Sequence, residues 1–124
     1  MTKSVDLAKM SVPQLVERFT ALALGQFEAE LYGEIAKYNR LYDQLEAIER
    51  ELKNRTGDER TALISLLAHE NPQVRLDAAQ ATLAVAPAAA RQALQDVSDR
   101  NEYPQAAYAR GTLMSLQKGT RKPT

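Results

Sequence analysis

The chain holds one histidine, His69, followed by Glu70 and Asn71. An imidazole beside a carboxylate is the pairing that a general base uses when the acid orients the ring. Adjacent helical residues do not face each other, however, and neither a nucleophile motif nor a glycine-rich phosphate loop accompanies the pair. The better account puts His69 near a helix C-terminus, where the dipole favours it, and no residue is assigned to catalysis. Tyr38 and Tyr42 stand one helical turn apart, with Lys37 and Arg40 beside them. Tyrosine and arginine anchor many protein interfaces, so Tyr38, Tyr42 and Arg40 are the candidate partner-binding residues. The competing reading makes the two tyrosines core residues with their hydroxyl tips in water. Arg75 carries a planar fork suited to a carboxylate or phosphate. Asp77, two residues on, is on the wrong side of the helix to take it.

Two further groups of charges are weaker candidates. The carboxylates from Glu28 to Glu51 mostly have basic neighbours at helical spacing, which describes a solvated face rather than a two-carboxylate site. Arg60, Arg75, Arg91, Arg100 and Arg110 would suit nucleic acid if the fold gathered them on one concave face. Residues 58–124 carry 8 basic and 7 acidic residues, a net of +1, which is far from the excess such a face uses. The basic tail Lys118, Arg121, Lys122 is short and has no aromatic residue among its cations.

Composition removes whole classes of chemistry. The 124 residues include 16 Lys+Arg, 16 Asp+Glu and no Cys, so disulfides, thiolate chemistry and cysteine-zinc sites are excluded. One histidine cannot build a His-rich metal centre, and neither metal nor cofactor is expected. The longest charge-free run, Ala78 to Ala90, is 13 residues and contains Gln80, Thr82 and Pro87. A membrane span needs ~20 apolar residues. Lys3, Asp6 and Lys9 interrupt any apolar stretch within Met1 to Met10, which argues against a secretory signal. A cytoplasmic address is the expectation.

These residues must be positioned by helices, because apolar spacing follows three- and four-residue steps nearly everywhere. Ser11 and Gln14 frame Pro13 as a capping box, ahead of Leu15, Phe19, Leu22 and Ala23. Gly25 is expected to weaken that helix near its end. A second, longer helix is expected between Glu28 and Arg55, on a stripe of Leu31, Ile35, Tyr38, Tyr42, Leu45 and Leu52. Asn54 and Gly57 supply its stop. Asp58 can cap a third helix carrying Ala62, Leu63, Leu66 and Leu67. Asn71-Pro72 opens a fourth, expected to run to Ala86 with two apolar stripes and hence neighbours on two sides. Pro87 ends it, a fifth follows through Ala90, Ala93, Leu94 and Val97, and Pro104 opens a sixth. No segment alternates with period two, so no strand is expected.

The second half repeats itself. Leu63, Ile64 and Leu67 match Ala93, Leu94 and Val97 at a shift of 30, and Pro72-Gln73 matches Pro104-Gln105 at a shift of 32. The segments Leu63-Ile-Ser-Leu-Leu67, Asn71-Pro-Gln-Val-Arg75, Asp77-Ala-Ala79 and Leu83 resemble a HEAT-type repeat over residues 60–86. Ala106-Ala107 stands where the second copy would carry Val-Arg. Across most of residues 11–117, the runs Tyr38-Asn-Arg-Leu-Tyr-Asp-Gln-Leu-Glu-Ala-Ile48 and Asn71-Pro-Gln-Val-Arg-Leu-Asp-Ala-Ala79 resemble a family of small bacterial proteins catalogued as a domain of unknown function. The HEAT resemblance implies that Arg75 makes an inter-repeat structural contact, with Asp58, Glu59 or Asp96 as acidic partners. The family resemblance implies a fold and no activity.

The expected architecture is all-α: an α-α superhelix of about six antiparallel helices with HEAT/armadillo-like repeats and no sheet. One domain, 1–124, would comprise an N-terminal arm (1–10), a long hairpin acting as cap (11–57), two repeats (58–117) and a flexible basic tail (118–124). Ile35, Tyr38, Leu45 and Leu52 are expected against the alanine-rich repeats. The expected function is a small non-enzymatic protein-interaction module with a protein partner, or a second copy of the chain docked through the long helix. A nucleic-acid-binding helical-repeat protein is the alternative. An enzyme with a pocket near Tyr38, Tyr42 and His69 comes third.

Overall fold

Local capping rules place the first helix where its residues dictate. A computed structural model describes residues 6–124; residues 1–5, half of the expected arm and of the stretch read for a secretory signal, lie outside the described residues. Ser11 accepts the Gln14 amide at 3.2 Å and Gln14 Oε1 accepts the Ser11 amide at 2.8 Å, closing the expected capping box. Helix α1 (Val12–Leu31) follows, then α2 (Ile35–Asn54), α3 (Pro72–Thr82), α4 (Pro87–Asp99) and α5 (Gln105–Lys118). A 3₁₀ segment over Glu59–Ala68 is the sixth helix, and a short 3₁₀ turn spans Leu7–Lys9. The chain is all-α, with no strand among the described residues.

The chain separates into two compact units, Met1–Ala62 and Leu63–Thr124. In the first unit α1 and α2 form a hairpin. Leu15, Phe19, Leu22, Ala23 and Ala29 are buried along α1, and Leu45, Ile48 and Leu52 along α2. Gly25 lies inside α1 rather than near its end, and a Cβ built there would stand 3.1 Å from Leu41 Cδ1. Its missing side chain therefore admits Leu41 of α2 at close range. Arg55, just past α2, ties back to the first residues. Its Nη2 donates to the carbonyls of Leu7 (3.0 Å) and Met10 (2.7 Å), and its Nε to Glu51 at 2.9 Å.

The segment after Asp58 is a 3₁₀ helix, not the α-helix its apolar residues suggest. Three residues per turn stack side chains at i and i+3. Arg60, Leu63 and Leu66 are accordingly buried in one line. Asp58 Oδ1 accepts the Arg60 amide at 3.3 Å, starting the segment much as an N-cap would.

In the second unit, Asn71 caps α3 by accepting the amides of Gln73 and Val74, and Pro72 occupies the first turn. Every residue from Pro72 to Ala79 is buried, as the two stripes require. The helix stops at Thr82 instead of Ala86. Leu83 to Ala86 form a turn, and Pro87 begins α4. One cluster joins α3, α4 and α5, with Leu76, Ala79, Leu83, Leu94, Val97, Ala109 and Leu116 at its centre. Two side-chain bonds fix the register of α3 and α5. Gln105 Nε2 donates to Gln73 Oε1 at 3.1 Å, and Gln80 Nε2 to Thr112 Oγ1 at 3.0 Å. Both span 32 residues, the shift seen in the sequence, so α3 and α5 run parallel in register with α4 returning between them.

Candidate protein-interaction surface

The turn between α1 and α2 is built by one glycine and two backbone bonds. Gly33 has a φ of +67°, a left-handed conformation that costs other residues about 1–2 kcal/mol. Its amide donates to the Glu30 carbonyl at 3.3 Å, and the Glu34 amide to the Ala29 carbonyl at 2.9 Å. This is the Schellman pattern, which satisfies carbonyls that the helix end leaves open. The chain then reverses and α2 restarts at Ile35.

The turn breaks the stripe expected to run on from Leu31 to Leu52. Leu31 closes α1 on the face turned about 150° from its buried line, at ~100° per residue. Ile35 opens α2 about 100° from the Leu45–Ile48–Leu52 line by the same geometry. Ile35 is 74% exposed, Tyr32 72% and Leu31 67%. The expected burial of Ile35 is thus corrected: the three-residue interruption shifts the helical phase and leaves it on the outside. Three large apolar side chains within five residues then stand in solvent, whereas isolated exposed apolar residues are ordinary. Leu24, one heptad before Leu31, and Tyr42, one heptad after Ile35, are exposed as well. Sequence reading missed Leu31, Tyr32 and Ile35 as a surface. The signal that could have found it is Gly33 flanked by apolar residues on both sides.

The acids at the tip precede the bases along the chain. Glu28, Glu30 and Glu34 lie on the last turn of α1 and the connection, with no base between Arg18 and Lys37. Lys37 and Arg40 open α2, with no acid between Glu34 and Asp43. Among the described residues none of these five side chains makes a hydrogen bond or ion pair.

The residues singled out in the sequence are distributed as follows. Arg40 and Tyr42 are exposed, while Tyr38 is half-buried and its carbonyl accepts a 3.4 Å bond from the buried Gln26 side-chain amide. His69 belongs to the second unit, where its Nδ1 accepts the Asn71 amide at 3.0 Å and shapes the turn into α3. Arg75 is buried, and its Nη2 donates to Glu102 at 3.1 Å and to the Glu70 carbonyl at 3.4 Å. Its partner is thus Glu102 in the turn before α5, not Asp58, Glu59 or Asp96. The turn between α4 and α5 brings that acid back to the start of α3.

Three of the five arginines weighed for nucleic acid are committed inside the fold. Arg60 is buried and forks onto Asp58, with Nε–Oδ1 2.9 Å and Nη2–Oδ2 2.7 Å. That bond holds the Asp58 carboxyl below its ordinary value. Arg75 is taken as described. Arg110 donates to Ser98 Oγ and the Ser98 carbonyl, to Asn101 and to the Tyr103 hydroxyl, and lies over the Tyr103 ring. One titratable group stands apart. Asp77 is buried in α3, its Oδ1 accepts from Gln73 Nε2 at 3.1 Å, and its Oδ2 has no partner. Burial raises its pKa to about 7, against the lowering effect of the Gln73 bond. Among the described residues no three His, Asp or Glu side chains are grouped to hold a metal. Among the described residues no helix is long and apolar enough to cross a membrane.

No functionally curated protein matches the chain. The crystal structure of the protein RPA1889 from Rhodopseudomonas palustris CGA009 is similar to it, with 43% identity and a TM-score of 0.93, over 98% of this chain and 100% of that one. The sequence signature of a domain of unknown function, DUF2019, matches residues 13–117. The chain belongs to that family, DUF2019.

Proposed function

We propose that this chain is a small non-enzymatic protein-interaction module that docks a protein partner through the tip of the α1–α2 hairpin. The observation that carries the reading is the exposure of Leu31, Tyr32 and Ile35 together, on a turn fixed by Gly33. Aromatic and aliphatic anchors in a polar surround are the composition of an interface centre. Tyr42, two turns along α2 on the side of Ile35, extends the surface, while Arg40 lies about 140° round the helix from Ile35. The second unit is read as two HEAT-like helical pairs, with Gln73–Gln105 and Gln80–Thr112 as the bonds between equivalent positions. Its role is scaffolding, and the setting is the cytoplasm of a bacterial cell. Nucleic acid is a poorer partner, since Arg60 and Arg75 are buried and Arg110 is bonded to Ser98, Asn101 and Tyr103.

The test is photocrosslinking in native cells. A benzophenone amino acid replaces Tyr32 at the tip and, as a control, Arg91 on the exposed face of α4. The expected result is a discrete protein adduct from position 32 and none from position 91. Adducts at neither position, or only at 91, would remove the tip as the docking surface.

A further inference from the structure

We draw no further inference here: the strongest candidate, the buried side-chain cluster in which Gln105 of α5 donates to Gln73 and Gln73 to Asp77 of α3, carries nothing because its claim to a role beyond stability rests on the raised pKa of Asp77 alone.

Discussion

Replacing Asp77 by Asn should convert a pH-dependent stability into a flat one. Asp77 is buried in α3, with Gln73 as hydrogen-bond donor to one oxygen and nothing bonded to the other. Burial raises its pKa from 3.8 to about 7. Between those two values the folded protein holds a proton that the unfolded chain has released. Stability from this group is therefore complete below pH 4, falls as pH rises to about 7, and is level above that. At 1.36 kcal/mol per unit, a rise of about three units corresponds to ~4 kcal/mol lost across the window. An amide in the same shape keeps the Gln73 bond and carries no charge to desolvate. It leaves an N–H group unpartnered, a cost of about 1–3 kcal/mol that does not vary with pH.

Urea unfolding of both proteins at half-unit intervals from pH 4.5 to 8.5, followed by circular dichroism, reads the difference. Asp58, whose carboxyl is held low by Arg60, contributes equally to both curves and cancels. The difference should favour the aspartate protein at pH 4.5 and the asparagine protein at pH 8, changing by several kcal/mol between them. A difference constant to within ~0.5 kcal/mol would mean that Asp77 is hydrated or paired in the folded protein, and the reasoning from its burial would fail.

Two glycines should respond in opposite senses to Ala. Gly33→Ala forces a left-handed φ on a side chain and should cost about 1 kcal/mol, whereas Gly111→Ala, in α5 with open space around it, should gain about 1 kcal/mol. Equal effects in thermal melts would refute the role given to Gly33. Leu45→Ala in the first unit and Leu83→Ala in the second each remove a nearly fully buried side chain and should cost about 2–5 kcal/mol. A loss under ~0.5 kcal/mol at either site in urea titrations would contradict its place in the core.

Much of the fold is written in local chemistry. Ser11 with Gln14, Asn71 with Pro72, and Pro104 mark helix starts because capping is decided within four residues. The shift of 32 that pairs Gln73 with Gln105 is legible because stacked units place equivalent residues side by side. The failures have equally physical causes. Leu31 and Ile35 sit four residues apart, the spacing of one continuous helix, and only the left-handed φ of Gly33 shows that the chain reverses between them. Gly25 looks like the weak point, yet it serves the approach of Leu41. Arg60, Leu63 and Leu66 fit an α stripe and a 3₁₀ stripe alike over so few residues. Glu102 could not be named as the partner of Arg75 because the turn that delivers it lies 27 residues away. The candidate surface was legible only in part. Tyr42 flanks it, but Leu31 and Ile35 at its centre are residues that the helical pattern assigned to the core.

The most direct test of the account is hydroxyl-radical footprinting of the tip, in the dilute purified chain and in native cells. Leu31, Tyr32 and Ile35 should oxidise rapidly in the dilute chain and be protected several-fold in cells. Met114, 53% exposed on α5, serves as the reference and should react alike in both. Equal oxidation of the tip in the two settings would mean that nothing covers it, and the interaction-module reading would fall.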